Sequence, residues 1–166
     1  MASGPFLDLA STIVEEARVA DAIVIVNDRA DVAVLSGAHG LHVGQTDLSA
    51  ADARALIGSD AVLGLSTHSR EQWEPALQMP ISYVAVGPIF GTTTKQTGYD
   101  AVGLETVRQI AHAAAACGVP TVAIGGITIA NANSVIDAGA ASVAVISDLL
   151  KGDPETRCRE FLRALE

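Results

Sequence analysis

A chain of 166 residues, 49% hydrophobic and 17% charged, is long enough to bury a sizeable core and reads as one domain over residues 1–166. Ten Lys and Arg against nineteen Asp and Glu give a net charge of −9, which excludes nucleic acid and anionic membrane surfaces as partners, because either would need a field of the opposite sign. No stretch approaches the roughly 20 apolar residues of a membrane helix, the start Met1-Ala2-Ser3-Gly4-Pro5 has neither a basic nor a long apolar region, and Cys117 and Cys158 lack the close spacing of a zinc or redox pair, so a cytoplasmic protein with reduced, packed thiols is expected.

Residues 1–21 read as one helix, with Leu7, Ala10, Ile13, Val14 and Ala17 on a common stripe. Apolar runs then recur at Ala22–Val26, Gly40–Val43, Ala61–Leu65, Ser82–Val86, Thr121–Ile124 and Ser142–Ile146. They are rich in Val, Ile and Ala with little alternation, as parallel strands covered on both faces require. Helices fill the gaps: Ser49 with Asp52, and Ser69 with Gln72, have capping-box spacing. Gly58, Gly118 and Gly139 stand where helix C-termini are expected. Leu104, Val107 and Ile110 share a face, and Asp153-Pro154 opens a last helix through Phe161, Leu162 and Leu165.

This rhythm is that of an α/β protein built from βα units. A TIM-type (βα)8 barrel is favoured over an open doubly wound sheet for two reasons. Polar residues end nearly every strand at its C-terminal side, where barrels gather their sites from many loops. No GxGxxG follows the first strand. Since a closed barrel takes about 200–250 residues, the expectation is an N-terminally truncated barrel of about six βα units. A truncated chain, a misplaced start, or a shortened barrel that covers two strand edges by forming a homo-oligomer would each account for it.

The strand ends carry the chemistry. Asn27-Asp28 closes the first strand and Gln45-Thr46-Asp47 the second. Two hard carboxylates on adjacent strands, completed by substrate phosphate oxygens, are how magnesium (Mg2+) is usually held, so Asp28 and Asp47 are the metal candidates; the plainer alternatives are an Asp28–Arg29 ion pair or helix cap, and a turn role for Asp47. Ser66-Thr67-His68 supplies hydroxyls and an imidazole, or else satisfies backbone groups at the turn and positions a loop. No GxSxG accompanies them, and His39, His42 and His112 lack a metal-ligating spacing.

After the fourth strand comes Gly91-Thr92-Thr93-Thr94-Lys95, a loop with hydroxyls and a cation suited to pyrophosphate oxygens, where Lys95 would counter charge building on a leaving group. Its alternative is a plain polar loop running on through Gln96-Thr97-Gly98-Tyr99-Asp100. Gly125-Gly126 and Ile146-Ser147 end the last two strands, the position where barrels often bind phosphate; the glycines would otherwise serve only the turn into the next helix.

Taken in order, Asn27-Asp28-Arg29, Gly44-Gln45-Thr46-Asp47, Ser66-Thr67-His68, Gly87-Pro88-Ile89-Phe90 with Thr92, Thr94 and Lys95, Ile124-Gly125-Gly126-Ile127 and Val145-Ile146-Ser147 resemble thiamine-phosphate synthase over nearly the whole chain from about Leu7. The resemblance implies a transferase of thiamine biosynthesis. It would join 4-amino-5-hydroxymethyl-2-methylpyrimidine pyrophosphate to 4-methyl-5-(2-hydroxyethyl)thiazole phosphate through loss of pyrophosphate and capture of the pyrimidine carbocation. By matching position, Asp28 and Asp47 would ligate magnesium. Asn27, Ser66 and Lys95 would contact the pyrimidine pyrophosphate, with Lys95 and Ser66 the catalytic pair, while Thr92, Thr93, Thr94, Gly126, Ile146 and Ser147 would hold the thiazole phosphate.

Two departures stand out. The family's Gln-x-Arg-x-Lys cluster falls before the first residue of this chain, and its loss would cost several kcal/mol at about 1.4 kcal/mol per tenfold in rate. Gly91 stands where the family commonly has proline, loosening the loop's entry. A thiazole tautomerase-like isomerase and a vestigial, non-catalytic phosphate-binding barrel fragment are the competing readings. Retention of Asp28, Asp47 and the Thr-x-Thr-Lys segment favours the synthase, since a tautomerase has no pyrophosphate to expel.

Overall fold

The structure, a computed structural model, describes residues 2–91 and 98–165. Helix and strand alternate throughout, in the α/β pattern expected. By packing, the chain divides into two compact units, Met1–Ser66 with Met79–Tyr83, and Thr67–Gln78 with Val84–Glu166.

In the first unit, α1 (Ser3–Val19) precedes β1 (Ile25–Asn27), α2 (Ala30–Ser36), β2 (Gly40–Val43), α3 (Ala50–Ile57) and β3 (Val62–Thr67, its last residue belonging to the second unit). The strands pair in parallel, β1 with β2 and β2 with β3, with Asn27 opposite His42 and His42 opposite Gly64. One face of these strands is core: Leu41, its register partner Leu63, and Val43 are fully buried, while α1, which packs on α2, buries Ala10, Val14 and Ala17. At roughly 1.5–3 kcal/mol for each fully buried aliphatic side chain, this face fixes the register, because a one-residue slip would turn every one of them over.

In the second unit, α4 (Arg70–Ala76) precedes the rest of β4 (Tyr83–Val86), then α5 (Gly103–Ala116), β5 (Thr121–Ile124), α6 (Ala132–Asp137), β6 (Ser142–Ala144) and α7 (Pro154–Leu165). Here β4, β5 and β6 pair in parallel, Val84 with Thr121 and Ile124 with Ala144. Val84, Val86, Val107, Ile110 and Val135 are fully buried.

Several expectations shift. β1 begins three residues later than the apolar run suggests, because Ala22 N–H is retained by the carbonyl of Ala17 at the end of α1 and Asp21 takes a left-handed φ of 52°. β3 runs on to Thr67, whereas β6 stops at Ala144, leaving Ile146 55% exposed. Ser49 caps α3 as its spacing predicts, accepting the Asp52 N–H at 3.1 Å. Ser69 makes no such bond; Gln72 Oε1 instead accepts the N–H of His68 at 2.7 Å. Asp153 accepts the Thr156 N–H at 2.8 Å, starting α7 with Pro154 in its first turn. The cysteines are free, as expected, but both are exposed rather than packed: Cys117 caps the C-terminus of α5 and Cys158 lies on a solvent-facing position of α7.

Candidate functional site

Asn27 and Asp28 emerge from β1 exposed, and the chain turns so sharply that Asp28 adopts φ 64°, a left-handed conformation that Asp tolerates better than most non-glycine residues. The turn is held by Asp28 N–H to the carbonyl of His42 at 2.8 Å and Arg29 N–H to that of Asn27 at 2.7 Å. The Arg29 guanidinium grips Asp31 at 2.5 Å and Ser3 Oγ at 3.1 Å. The loop after β2 folds back on itself: Asp47 Oδ2 accepts the Gly44 N–H at 2.7 Å, so the turn role is real for that oxygen. Gln45 crosses to the next strand end, its Nε2 donating to the carbonyl of Ser66 at 2.6 Å.

Ser66 brings in two residues to which sequence reasoning gave no role. Its Oγ lies 2.7 Å from Nε2 of His42, whose Nδ1 is 2.8 Å from the hydroxyl of Tyr83. All three belong to the first unit. His42 and Tyr83 stack at 5.6 Å between ring centroids, directly over Gly64, where an added Cβ would collide with the phenol ring and lie 2.5 Å from His42 Nδ1. Burial pushes the Tyr83 phenol above its ordinary value, which keeps its proton in place. The available signal was a lone glycine in the apolar run Val62-Leu63-Gly64-Leu65, the mark of something approaching closely.

In the second unit, Thr67 is buried and donates to the carbonyl of Ala85 at 2.8 Å, a structural role. His68 Nδ1 donates to the carbonyl of Gly87, and Tyr99 stacks on its ring at 3.8 Å, so in this structure the imidazole braces the segment after β4. Gly125 and Gly126 have φ of 96° and 66°. What comes close to them is the segment after β4: a Cβ on Gly125 would lie 2.6 Å from Pro88, and one on Gly126 would lie 2.7 Å from the carbonyl oxygen of Gly91. Ile146 and Ser147 are both exposed beyond β6. Thr92, Thr93, Thr94 and Lys95 lie outside the described residues.

The neighbour of Ser147 is a further residue that sequence reasoning missed. Asp148 is 2% exposed and holds Lys151 at 2.9 Å, Arg157 at 2.7 Å and the N–H of Ile129 at 3.0 Å. Burial alone would push its carboxyl up, but hydrogen bonds from Lys151, the Ile129 N–H and Arg157, with the charge of Arg157, hold it down at about 2. The buried carboxylate thereby ties the loop after β5 to the loop after β6 and to α7.

Comparison with known proteins points to one family. The sequence profile of thiamine monophosphate synthase matches residues 2–149. The chain belongs to that family. It is 49% identical over 142 residues to the thiamine-phosphate synthase of Koribacter versatilis, covering 86% of this chain and 65% of that protein. It is 43% identical over 141 residues to the thiamine-phosphate synthase of Nostoc punctiforme, covering 85% of this chain and 39% of that one. The chain thus spans less than two thirds of the length of these two relatives. Its fold is similar to that of a thiamine phosphate pyrophosphorylase from Pyrococcus furiosus, with a TM-score of 0.89 and 28% identity over 99% of this chain and 78% of the other.

Proposed function

We propose that this chain performs the family's reaction, coupling hydroxymethylpyrimidine pyrophosphate to thiazole phosphate and releasing pyrophosphate, as a magnesium-dependent cytoplasmic transferase on a TIM-type barrel. The observation that carries the proposal is the family match over residues 2–149, which includes the polar cluster at every strand end. Likeness in fold to the Pyrococcus furiosus protein supports the barrel. Among the described residues no helix is long and apolar enough to cross a membrane.

The residues present suit magnesium. Asp28 and Asp47 are exposed carboxylates at the ends of paired strands, and Asp47, with one oxygen fixed by Gly44 N–H, keeps a second to offer. Two carboxylates completed by phosphate oxygens is the usual magnesium arrangement. When bound, the ion would neutralise charge on the pyrophosphate leaving group.

The chain's own residues do the rest. Ser66 and Asn27 donate to pyrophosphate oxygens and orient them. Lys95 meets the charge that grows as the carbon–oxygen bond breaks, an interaction stronger in the transition state than in the ground state. Gly126, Ile146 and Ser147, with Thr92, Thr93 and Thr94, hold the thiazole phosphate. No general base is needed, because the thiazole nitrogen captures the cation directly.

The test is a coupled assay of thiamine phosphate formation from both substrates with magnesium. Product above background, reduced at least 100-fold in Lys95→Ala, supports the reading; a folded chain that forms no product overturns it.

A further inference from the structure

The relay through His42 has a direction. Tyr83 has one proton, and among the described residues its hydrogen bond is the one to His42 Nδ1. Were the imidazole to donate from Nδ1 instead, the half-buried phenol would be left with a proton and no partner for it, and an unmet buried donor is disfavoured. Tyr83 therefore donates, Nδ1 accepts, and the ring carries its proton on Nε2, 2.7 Å from Ser66 Oγ. Ser66 in turn accepts from His42 and keeps its own hydrogen to give away.

The fold supplies this alignment rather than chance. His42 and Gly64 are register partners on β2 and β3, and Ser66 lies two residues beyond Gly64 on the same face. Gly64 leaves the gap through which the Tyr83 ring reaches across β3. The carbonyl of Ser66, held by Gln45 Nε2 at 2.6 Å, fixes the backbone that carries the hydroxyl.

We infer that His42 is a positioning residue, locked by Tyr83 as the Nε2–H form, which turns the Ser66 hydroxyl into an obligate outward donor to an oxygen of a phosphate-bearing anion. This rests on the proposed role of Ser66 as a pyrophosphate contact. It extends that role to two residues outside the strand-end clusters.

Two measurements decide it. The first is 15N-detected imidazole NMR on the wild-type chain, in the pH range where the ring is neutral. The Nε2–H form is expected at His42, with the Nδ1 signal shifting in Tyr83→Phe; the Nδ1–H form in the wild type overturns the relay. The second is calorimetric binding of inorganic pyrophosphate in the presence of magnesium. His42→Ala and Ser66→Ala should each weaken binding about tenfold, the scale of one hydrogen bond to a charged group. The double variant should be no weaker than Ser66→Ala. His42→Gln, whose amide N–H can replace Nε2–H, should recover most of the loss. Losses that multiply in the double variant overturn the inference, since His42 would then act on the ligand without Ser66. A wild-type chain that binds no pyrophosphate overturns the ligand part together with the proposed function, while the NMR result still judges the relay itself.

Discussion

Gly64 and Tyr83 compete for the same space: the Cβ that Gly64 lacks would lie 2.1 Å from Cζ and 2.3 Å from the hydroxyl oxygen of the phenol. The glycine is fully buried in the middle of β3, where any other residue would serve the strand better. Gly64→Ala is therefore expected to displace Tyr83, and with it the hydrogen bond to His42, at a cost of about 1–3 kcal/mol typical of overpacking. Urea unfolding monitored by circular dichroism measures the cost. A midpoint equal to that of the wild type would mean that the ring moves aside freely.

That glycine also marks the boundary between what the sequence tells and what it conceals. β2 and β5 are legible to the residue because Gly40 and Pro120 punctuate apolar runs with nothing ambiguous beside them. β1 and β6 are less so. Ala22-Ile23-Val24 has strand composition yet its first N–H stays with α1, and Val145-Ile146 is β-branched and apolar yet lies beyond the last ladder pair, Ile124 with Ala144. The acidic and hydroxyl residues at the strand ends can be read directly, since their positions follow from strand ends alone. His42 with Tyr83 cannot: they are 41 residues apart, and only the register across β3 brings them together. Asp148 is equally silent in Ser147-Asp148-Leu149, because its partners Ile129 and Arg157 come from other elements.

Asp47 separates a structural from a metal-binding role. Asn in its place still offers an oxygen to the Gly44 N–H, preserving the 2.7 Å turn contact, but removes a charge from the proposed magnesium site. Asp47→Asn should melt within about 0.5 kcal/mol of the wild type, as surface substitutions usually do, while the magnesium concentration giving half-maximal product formation rises at least tenfold. Equal magnesium dependence in the two proteins would confine Asp47 to the turn.

The Asp148 cluster gives a stability that depends on pH with a defined sign. Its folded carboxyl is held at about 2, below the ordinary 3.8, so the folded state favours the ionised form. That stabilisation is complete above about pH 4–5 and is lost as pH falls through 4 towards 2. Asp148→Asn removes the charge but keeps a polar side chain, leaving Arg157 half-satisfied at a cost of about 2–3 kcal/mol at pH 7. Thermal melts of both proteins from pH 7 to pH 2.5 should show the gap between them narrowing at the acidic end; a constant gap would assign the acid sensitivity to other carboxylates.

Arg54 staples the first unit in a way that only its own shape permits. From α3 its Nε donates to the carbonyl of Pro80 at 3.1 Å, its NH1 to those of Gly58 at 2.8 Å and Ala61 at 2.6 Å, and its NH2 to Ser82 Oγ at 3.2 Å. Ser82 Oγ also receives the Leu63 N–H at 3.0 Å, so one guanidinium orders the entry to β3 and the segment leading into Tyr83. A lysine carries the same charge but lacks the planar fork that reaches these acceptors together. Arg54→Lys should therefore lose nearly as much stability as Arg54→Ala, about 2–3 kcal/mol for several charge-assisted bonds to carbonyls, read from urea midpoints. Because that segment also presents Tyr83 to His42, both variants should weaken pyrophosphate binding; a lysine variant with wild-type stability would show that charge alone, and not the fork, holds the strands' entry loops.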